Sequence, residues 1–182
     1  MATTFRLVPW LREDLLRGLS LEGNTSISGG WRLWIKALSP RFAPVLLCRL
    51  AHGCHRRGWG ATSKALSMLN FIIFGIEIAA RCEIGPGLYF PHTQGTVVGA
   101  WSIGKNAVIY QGVTLGAKEL DFAYSEETRP KLDDNVTIGA GAKVLGGVQL
   151  GRGARVGANA VVVTSIPEGA LAVGVPAKIA NT

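Results

Sequence analysis

A six-residue repeat in the second half of the chain constrains its fold more than any other feature. From residue 78 onward an apolar residue returns at six-residue spacing, usually followed by Gly and then by a small or β-branched residue. The repeat positions are Ile78, Ile84, Phe90, Val97, Ile103, Ile109, Leu115, Leu132, Ile138, Val144, Leu150, Val156 and Val162. Three hexapeptides close one triangular coil, and coils stack at the strand spacing of ~4.8 Å. The repeat therefore predicts a parallel β-helix with its apolar residues inside.

The repeat is interrupted twice, and both interruptions are candidate functional positions. One extra residue separates Phe90 from Val97, which predicts a bulge at residues 91–95, where His92 lies. Seventeen positions instead of six separate Leu115 from Leu132, so residues 117–131 are predicted to leave the prism as a loop. Long loops in compact repeat folds are usually functional.

The first 75 residues have a different, helix-like pattern. Apolar residues at helical spacing, punctuated by Pro and Gly, predict short helices at 10–19, 30–38 and 44–55. The apolar run at 65–80 is shorter than the ~20 residues of a membrane span, and it is predicted to be a helix leading into the prism. We therefore expect an α-helical region at 1–75 and a β-helix domain at 76–182.

The net charge of +7 lies entirely in the helical region, which holds ten Lys or Arg and three Asp or Glu. Four of the five tryptophans are there too. Such a region is typical either of peripheral contact with an anionic membrane surface or of helices that pack on a partner subunit. Both interpretations stay open at this point. Nucleic acid is not expected as a partner, because no recognition motif accompanies the charge.

Cysteine usage and the start of the chain favour the cytoplasm. The three cysteines are odd in number and show no C-x-x-C spacing, so neither a disulfide framework nor a cysteine zinc site is expected. Charged residues interrupt the first 18 positions, which leaves no apolar core for a signal peptide.

Several segments resemble the hexapeptide-repeat acyltransferases, and among them the serine acetyltransferase branch. They are I-E-I at 76–78, I-G-P-G-L at 84–88, H-T-Q-G at 92–95, I-Y-Q-G-V-T-L-G at 109–116, I-G-A-G-A-K-V-L-G at 138–146 and G-V-P-A-K-I at 174–179. The resemblance implies a left-handed β-helix, homotrimers, either single or in pairs, and acetyl-CoA as donor in the groove between neighbouring prisms. The helical region, with its segment at 48–52, looks more like the short extension of polysaccharide-modifying relatives.

The resemblance also implies roles for particular residues. His92 falls on the family's general base and Glu77 on the carboxylate that orients it. A carboxylate bound to one ring nitrogen leaves the other free to accept the proton of an acceptor hydroxyl. The residues that match coenzyme-binding positions, or that offer charge to its phosphates, are Gly116, Ala117, Ala140, Lys143 and Lys178. In the long loop, Tyr124 and Arg129 are candidates for binding the acceptor.

Two departures from the family pattern lead us to expect a sugar as the acceptor. Serine enzymes have an aspartate where this chain has Pro91, and Arg-His before the loop proline where this chain has Thr128-Arg129. A pocket that has lost such charges binds an amino acid poorly. The sequence thus predicts an O-acetyltransferase that modifies a sugar of an exported or cell-surface polysaccharide or its precursor.

Three alternatives are weighed against this expectation. Serine acetylation for cysteine synthesis shares the donor and the base. A non-catalytic trimeric scaffold remains a further alternative, which the retained motifs disfavour. A zinc hydratase on a β-helix needs three histidine ligands, and two of the chain's three histidines precede the repeat. No metal is therefore expected.

Overall fold

The computed structural model describes residues 5–23 and 30–180. The predicted regions 1–75 and 76–182 thus include a few residues, at 1–4, 24–29 and 181–182, that lie outside the described residues. Within the described ranges four helices come first, α1 (Leu7–Leu21), α2 (Trp31–Lys36), α3 (Ala43–Arg56) and α4 (Gly60–Phe74). In the described parts of the chain, no helix has the length and apolar character needed to cross a membrane.

The prediction of one helix at 65–80 is wrong at its C-terminal end. Helix α4 ends at Phe74 because Gly75 adopts the left-handed conformation, with φ 63°, and its N–H bonds to the Phe71 carbonyl. Glycine takes this conformation without steric cost, and it commonly ends helices in this way. The chain then enters its first strand at Ile76.

Fourteen short strands follow in residues 76–180, and a 3₁₀ turn at Glu126–Thr128 lies between the sixth and the seventh of them. They are β1 (Ile76–Ile78), β2 (Glu83–Ile84), β3 (Thr96–Val98), β4 (Ser102–Ile103), β5 (Val108–Ile109), β6 (Thr114–Gly116), β7 (Lys131–Leu132), β8 (Thr137–Ile138), β9 (Lys143–Leu145), β10 (Gln149–Leu150), β11 (Arg155–Val156), β12 (Val161–Val162), β13 (Leu171–Val173) and β14 (Lys178–Ile179).

The strands form the three faces of a prism. Face A has the order β1-β3-β6-β9-β12, face B has β2-β4-β7-β10, and face C has β5-β8-β11-β13-β14. Neighbours within a face pair in parallel, one coil apart, except that β14 turns back antiparallel on β13. This is the parallel β-helix that the six-residue repeat predicts.

Twelve of the thirteen predicted repeat positions are buried in the prism core, and Val97 is the exception. Val97 is 36% exposed, while Val98 is 1% exposed and pairs with Ile78 and Leu115 on either side. Because side chains alternate along a strand, a slip of one residue reverses which of them face inward. The bulge after Phe90 therefore contains two extra residues rather than one.

Stacked residues in the left-handed conformation form two of the prism's corners. One column follows face B, and its members are Gly87, Asn106, Asn135, Gly153 and Gly169. In this column the backbone N–H of each later member donates to a carbonyl of the coil below, as Asn106 does to Pro86 at 2.9 Å. The other column follows face C and consists of Gly95, Gly112, Gly141 and Asn159. Glycine and asparagine are the residues that occupy this conformation most readily, which explains their six-residue recurrence.

A buried ion pair fastens the helices to the first coil. Arg49 of α3 donates to both carboxylate oxygens of Asp14 in α1 at 2.9 Å, and to the carbonyls of Ile84 and Gly85. Asp14 also accepts the backbone N–H groups of Gly87 and Leu88. Both side chains are 1% exposed. The position of α1 and α3 on the base of the prism is thereby fixed.

Candidate active site

The turn that carries His92 is fixed to the junction between α4 and β1. The Thr93 hydroxyl donates to the Phe74 carbonyl at 2.7 Å, and the Gly95 N–H donates to the Gly75 carbonyl at 2.9 Å. A further bond from the Thr96 N–H to the Thr93 carbonyl closes the turn. These bonds hold the backbone on the C-terminal side of His92, whose imidazole is exposed in the protomer.

Glu77 lies two residues after Gly75, at the same junction. It is the middle residue of β1, exposed between the buried Ile76 and Ile78. The structure therefore brings His92 and Glu77 to one end of the prism, at the junction of face A with its preceding corner. Within the described residues neither side chain has a hydrogen bond or an ion pair in the single protomer. The two side chains thus start from one junction of the backbone, and no bond joins the carboxylate to the imidazole.

The outer surface of face A lines up Glu77 with residues of the later coils. Register pairs Glu77 with Val97, Val97 with Thr114, and Thr114 with Lys143. The Lys143 ammonium donates to the Gly112 carbonyl at 2.5 Å, so it lies against the glycine corner. Face A thus has a carboxylate, Glu77, on its first strand and a lysine, Lys143, on its fourth.

The other predicted coenzyme residues are divided between two faces. Gly116 ends β6 on face A, where a Cβ would have no described heavy atom within 4 Å, so a ligand has room to approach the backbone. Ala117 follows it directly. Ala140 lies at the corner that leads into β9, where its carbonyl accepts the Asn159 N–H. Lys178 is exposed in β14 of face C, in the last strand of the prism.

The long loop leaves face A after Gly116 and rejoins face B at Lys131, and Arg129 pins it to the prism. The Arg129 guanidinium donates to the Asp121 carboxylate at 2.9 Å, to the Gly99 carbonyl at 2.8 Å and to the Asp121 carbonyl at 3.0 Å. All three of its nitrogens are thereby used within the protomer. The guanidinium also lies 3.9 Å from the ring centroid of Tyr124, a cation–π contact.

Asp121 is the centre of this network. Its carboxylate accepts hydrogen bonds from the Thr128 hydroxyl at 2.7 Å, from the Ser125 N–H at 2.8 Å and from Arg129. These bonds, led by the one from Thr128, lower the pKa of the Asp121 carboxyl to about 2. A carboxylate that accepts several hydrogen bonds is held in its charged form. The loop is therefore closed by an ionised Asp121 at all ordinary pH values.

Tyr124 attaches the same loop to face B. Its hydroxyl donates to the Ala100 carbonyl at 2.6 Å, and its ring lies 6.1 Å from that of Trp101. Burial raises the pKa of Tyr124, so the hydroxyl stays protonated and keeps donating. The acceptor-binding role predicted for Tyr124 and Arg129 stays a prediction. In the protomer, both side chains hold the loop in place.

Sequence reasoning missed Asp121 and the pair of Asp14 and Arg49. A signal for Asp121 is present, since Ser125 and Thr128 follow at spacings that allow an aspartate to bond the next turn of chain. No local signal exists for the pair, because 35 residues separate its members.

Comparison with known proteins shows where the chain belongs. Residues 129–164 match the family described as bacterial transferase hexapeptide (six repeats). The serine acetyltransferase of Helicobacter pylori strain J99 is 43% identical over 159 residues, which cover 87% of this chain and 90% of that protein. This chain belongs to the serine acetyltransferase family of hexapeptide-repeat transferases. A solved serine acetyltransferase apoenzyme superimposes with a TM-score of 0.83 at 30% identity, covering 96% of this chain and 70% of the other. Serine acetyltransferase from Brucella abortus strain S19 in complex with coenzyme A gives 0.81 at 30% identity, covering 94% and 66%.

Membership in the serine acetyltransferase family confirms most of what the sequence predicts about chemistry. The left-handed β-helix, the O-acetyltransferase activity and acetyl-CoA as donor are confirmed. The expectation of a polysaccharide sugar as acceptor is wrong, because the similar proteins and structures are serine acetyltransferases. That expectation counted charges only at the positions of Pro91, Thr128 and Arg129. A charged pocket need not draw its charges from the same positions in every chain.

Proposed function

We propose that this protein is a serine O-acetyltransferase, which transfers the acetyl group of acetyl-CoA to the hydroxyl of L-serine. The observation that supports it most is the 43% identity to the Helicobacter pylori serine acetyltransferase over 90% of that protein's length. A similar structure from Neisseria gonorrhoeae, 28% identical with a TM-score of 0.80, is a serine acetyltransferase in complex with serine. The product supplies cysteine synthesis, and the enzyme works in the cytoplasm.

The proposed reaction needs one base and one oriented thioester. His92 accepts the proton of the serine hydroxyl while its oxygen attacks the acetyl carbonyl, and Glu77 turns the imidazole into the tautomer that has a free nitrogen. The C–S bond then breaks, and the proton on His92 passes to the departing coenzyme A thiolate. Exposure of both side chains in the protomer leaves room for them to meet when substrate is bound.

The coenzyme lies along face A in this proposal. The backbone at Gly116, Ala117 and Ala140 donates to the extended chain of the coenzyme, and Lys143 offers charge to its phosphates. Lys178 lies on face C, so in this proposal it offers its charge from the neighbouring prism. Face A of one protomer forms the groove with a neighbouring prism, so the active unit is a homotrimer. The loop of 117–131, held by Arg129 and Tyr124, then reaches the acceptor site at the boundary between two subunits.

Release of free thiol from acetyl-CoA tests the proposed function directly. We expect L-serine to give a kcat/KM in the ordinary enzyme range of ~10⁴ M⁻¹s⁻¹ or above, and nucleotide sugars or glycan repeat units to give no rate above the acceptor-free control. A sugar that outperforms serine would contradict the proposal.

A further inference from the structure

A pocket of about 330 Å³ opens beside the turn that carries His92. Its polar residues are Glu22 at the end of α1, Arg41 just before α3, Tyr89 and Tyr110. Pro91, which directly precedes His92, also lines it. One wall of the pocket therefore lies within a single residue of the proposed base. Its volume is at the small end of the range for ligand sites, about 300–1,000 Å³.

Glu22 and Arg41 form an ion pair that faces this pocket. Arg41 Nη1 donates to Glu22 Oε1 at 2.9 Å, and the Tyr89 hydroxyl donates to the same oxygen at 3.0 Å. Both bonds converge on Oε1, and no described residue donates to Oε2. The side chains are 56% and 22% exposed, so the guanidinium and the carboxylate are accessible from the pocket.

Tyr89 keeps the carboxylate in place. Burial, together with its hydrogen bond to Glu22, raises the pKa of the Tyr89 hydroxyl, which therefore remains a donor. A carboxylate fixed through one oxygen presents the other in a defined direction. Glu22 is thus arranged to accept a second hydrogen bond from outside the protein.

The pair has the charges that a zwitterionic amino acid requires. A guanidinium matches the flat carboxylate group of such a ligand, and a carboxylate oxygen matches its ammonium. Binding a zwitterion between them leaves the net charge of the pocket unchanged. Arg129, the cation that the sequence suggests for this task, already uses all three of its nitrogens in bonds to Asp121 of its own loop and to the Gly99 carbonyl of the prism.

From this geometry we infer that Arg41 binds the carboxylate of the acceptor amino acid and Glu22 its ammonium, which places the hydroxyl toward His92. The inference rests on the proposed function and deepens it. It assigns to Arg41 and Glu22 the discrimination of serine from hydroxyl compounds that lack one of its two charges.

Steady-state kinetics with three acceptors test the assignment. L-Serine has both charges, L-serinamide lacks the carboxylate, and 3-hydroxypropanoate lacks the ammonium. We expect Arg41→Gln to raise the KM for serine and 3-hydroxypropanoate by ~10- to 100-fold, the loss typical of a charged hydrogen bond, with serinamide unaffected. Glu22→Gln should raise the KM for serine and serinamide and leave 3-hydroxypropanoate unaffected. The KM for acetyl-CoA should not change in either variant.

Matched variants separate binding from folding. Arg12→Gln removes an exposed arginine from α1 and should behave like wild type. Arg41→Lys keeps the charge, so it should recover part of the serine affinity if Arg41→Gln is poorly folded. A merely structural role for the pair would raise KM for all three acceptors alike, and that result would overturn the assignment.

Other outcomes separate the two proposals. If wild-type protein acetylates serine and Arg41→Gln leaves the serine KM unchanged, the assignment fails while the proposed function stands. An increase caused instead by Arg81→Gln, in the cleft that Glu77 borders, would move the acceptor to that side and also overturn it. If wild type gives no rate with serine, the proposed function itself fails.

Discussion

His92 is the one histidine of the chain that belongs to the β-helix, and its turn is held while its side chain is not. Hydrogen bonds from Thr93 and Gly95 to the α4–β1 junction fix the backbone on its C-terminal side. The imidazole and the Glu77 carboxylate are both exposed and start from the same junction. At the scale of the residue, the site therefore combines a fixed backbone with two side chains that are free to meet.

Replacing His92 by Ala should lower kcat by ~10²- to 10⁴-fold, because general-base catalysis contributes about that factor. The KM for acetyl-CoA should stay unchanged, since the coenzyme binds elsewhere. Glu77→Gln should cost less, because it disturbs orientation and leaves the proton acceptor in place. His55→Ala, the other exposed histidine, is the control in the same thiol-release assay. A comparable loss there, or near-normal turnover in His92→Ala, would contradict the assignment of the base.

The long loop shows at the scale of the element how a few side chains order a segment without regular structure. Asp121 collects bonds from Ser125, Thr128 and Arg129, while Tyr124 reaches Ala100. At the tip, Leu120 and Phe122 are 86% and 90% exposed. The base of the loop is thus fixed to the prism, whereas its tip presents apolar side chains outward.

Asp121→Asn should loosen the loop, because a neutral amide no longer attracts Arg129. Amide hydrogen exchange across 117–130 should become faster, with Glu119→Gln as a control for an exposed loop carboxylate. In wild type the pKa of Asp121 is lowered from 3.8 to about 2. A lowered pKa means that its stabilisation is complete above about pH 4 and is lost as the pH falls toward 2. Exchange, corrected for its intrinsic pH dependence, should follow that window, and a loop insensitive to Asp121→Asn would refute this role.

The ion pair of Asp14 and Arg49 acts between elements, since it joins α1 and α3 to the first coil. Arg49→Met should lower the free energy of unfolding by ~3–5 kcal/mol, because it leaves Asp14 buried without its partner charge. Urea unfolding followed by tryptophan fluorescence measures this. Arg56→Met, an exposed arginine of the same helix, is the matched control. A loss no larger than in the control would show that the backbone N–H groups of Gly87 and Leu88 suffice to stabilise Asp14.

The fold was predictable where one local pattern decides it, and unpredictable where two patterns compete. The repeat gives the prism, because twelve of its positions can be read from residue spacing alone. At Val97-Val98 two equal side chains stand next to each other, so composition cannot decide which faces inward, and only pairing with Ile78 does. In the site, His92 follows from its motif and its bulge. The hydrogen bonds of Arg129 depend on how the loop folds back on the prism, and residue spacing does not predict that.

At the scale of the whole molecule, an apolar surface remains on α4 in the protomer. The side chains of Met68, Phe71, Ile72 and Ile73 are each more than half exposed. The surface adjoins β1 and a cleft of about 740 Å³ that Glu77 borders. Exposed apolar patches of this kind mark surfaces that another molecule covers, and the proposed homotrimer supplies such a molecule.

Light scattering should therefore give a mass three times that of the 19.3 kDa chain. Ile72→Glu should reduce the assembled fraction, because it places a charge on a surface that a neighbouring copy covers. Lys105→Glu, at an exposed position of the prism outside α4, is the control. Vesicle flotation distinguishes the membrane hypothesis. The α4 surface would be assigned to lipid if wild type binds anionic vesicles in a salt-sensitive way and Ile72→Glu abolishes this binding without changing the mass.

The antiparallel strand β14 bears on why the β-helix does not extend by stacking one protein molecule on the next. The terminal coil of a parallel stack has unpaired backbone N–H and C=O groups. If both ends of the prism are open, a second molecule can pair with them and continue the stack as a fibre. At the base, the helices anchored through Arg49 occupy the place of a preceding coil. At the top, β14 reverses onto β13, and the Ala177 N–H bonds to the Val161 carbonyl, so the chain's own end covers two of the three edges. On these two faces the next coil position is already occupied by residues 177–179, which opposes growth of the stack along the prism axis.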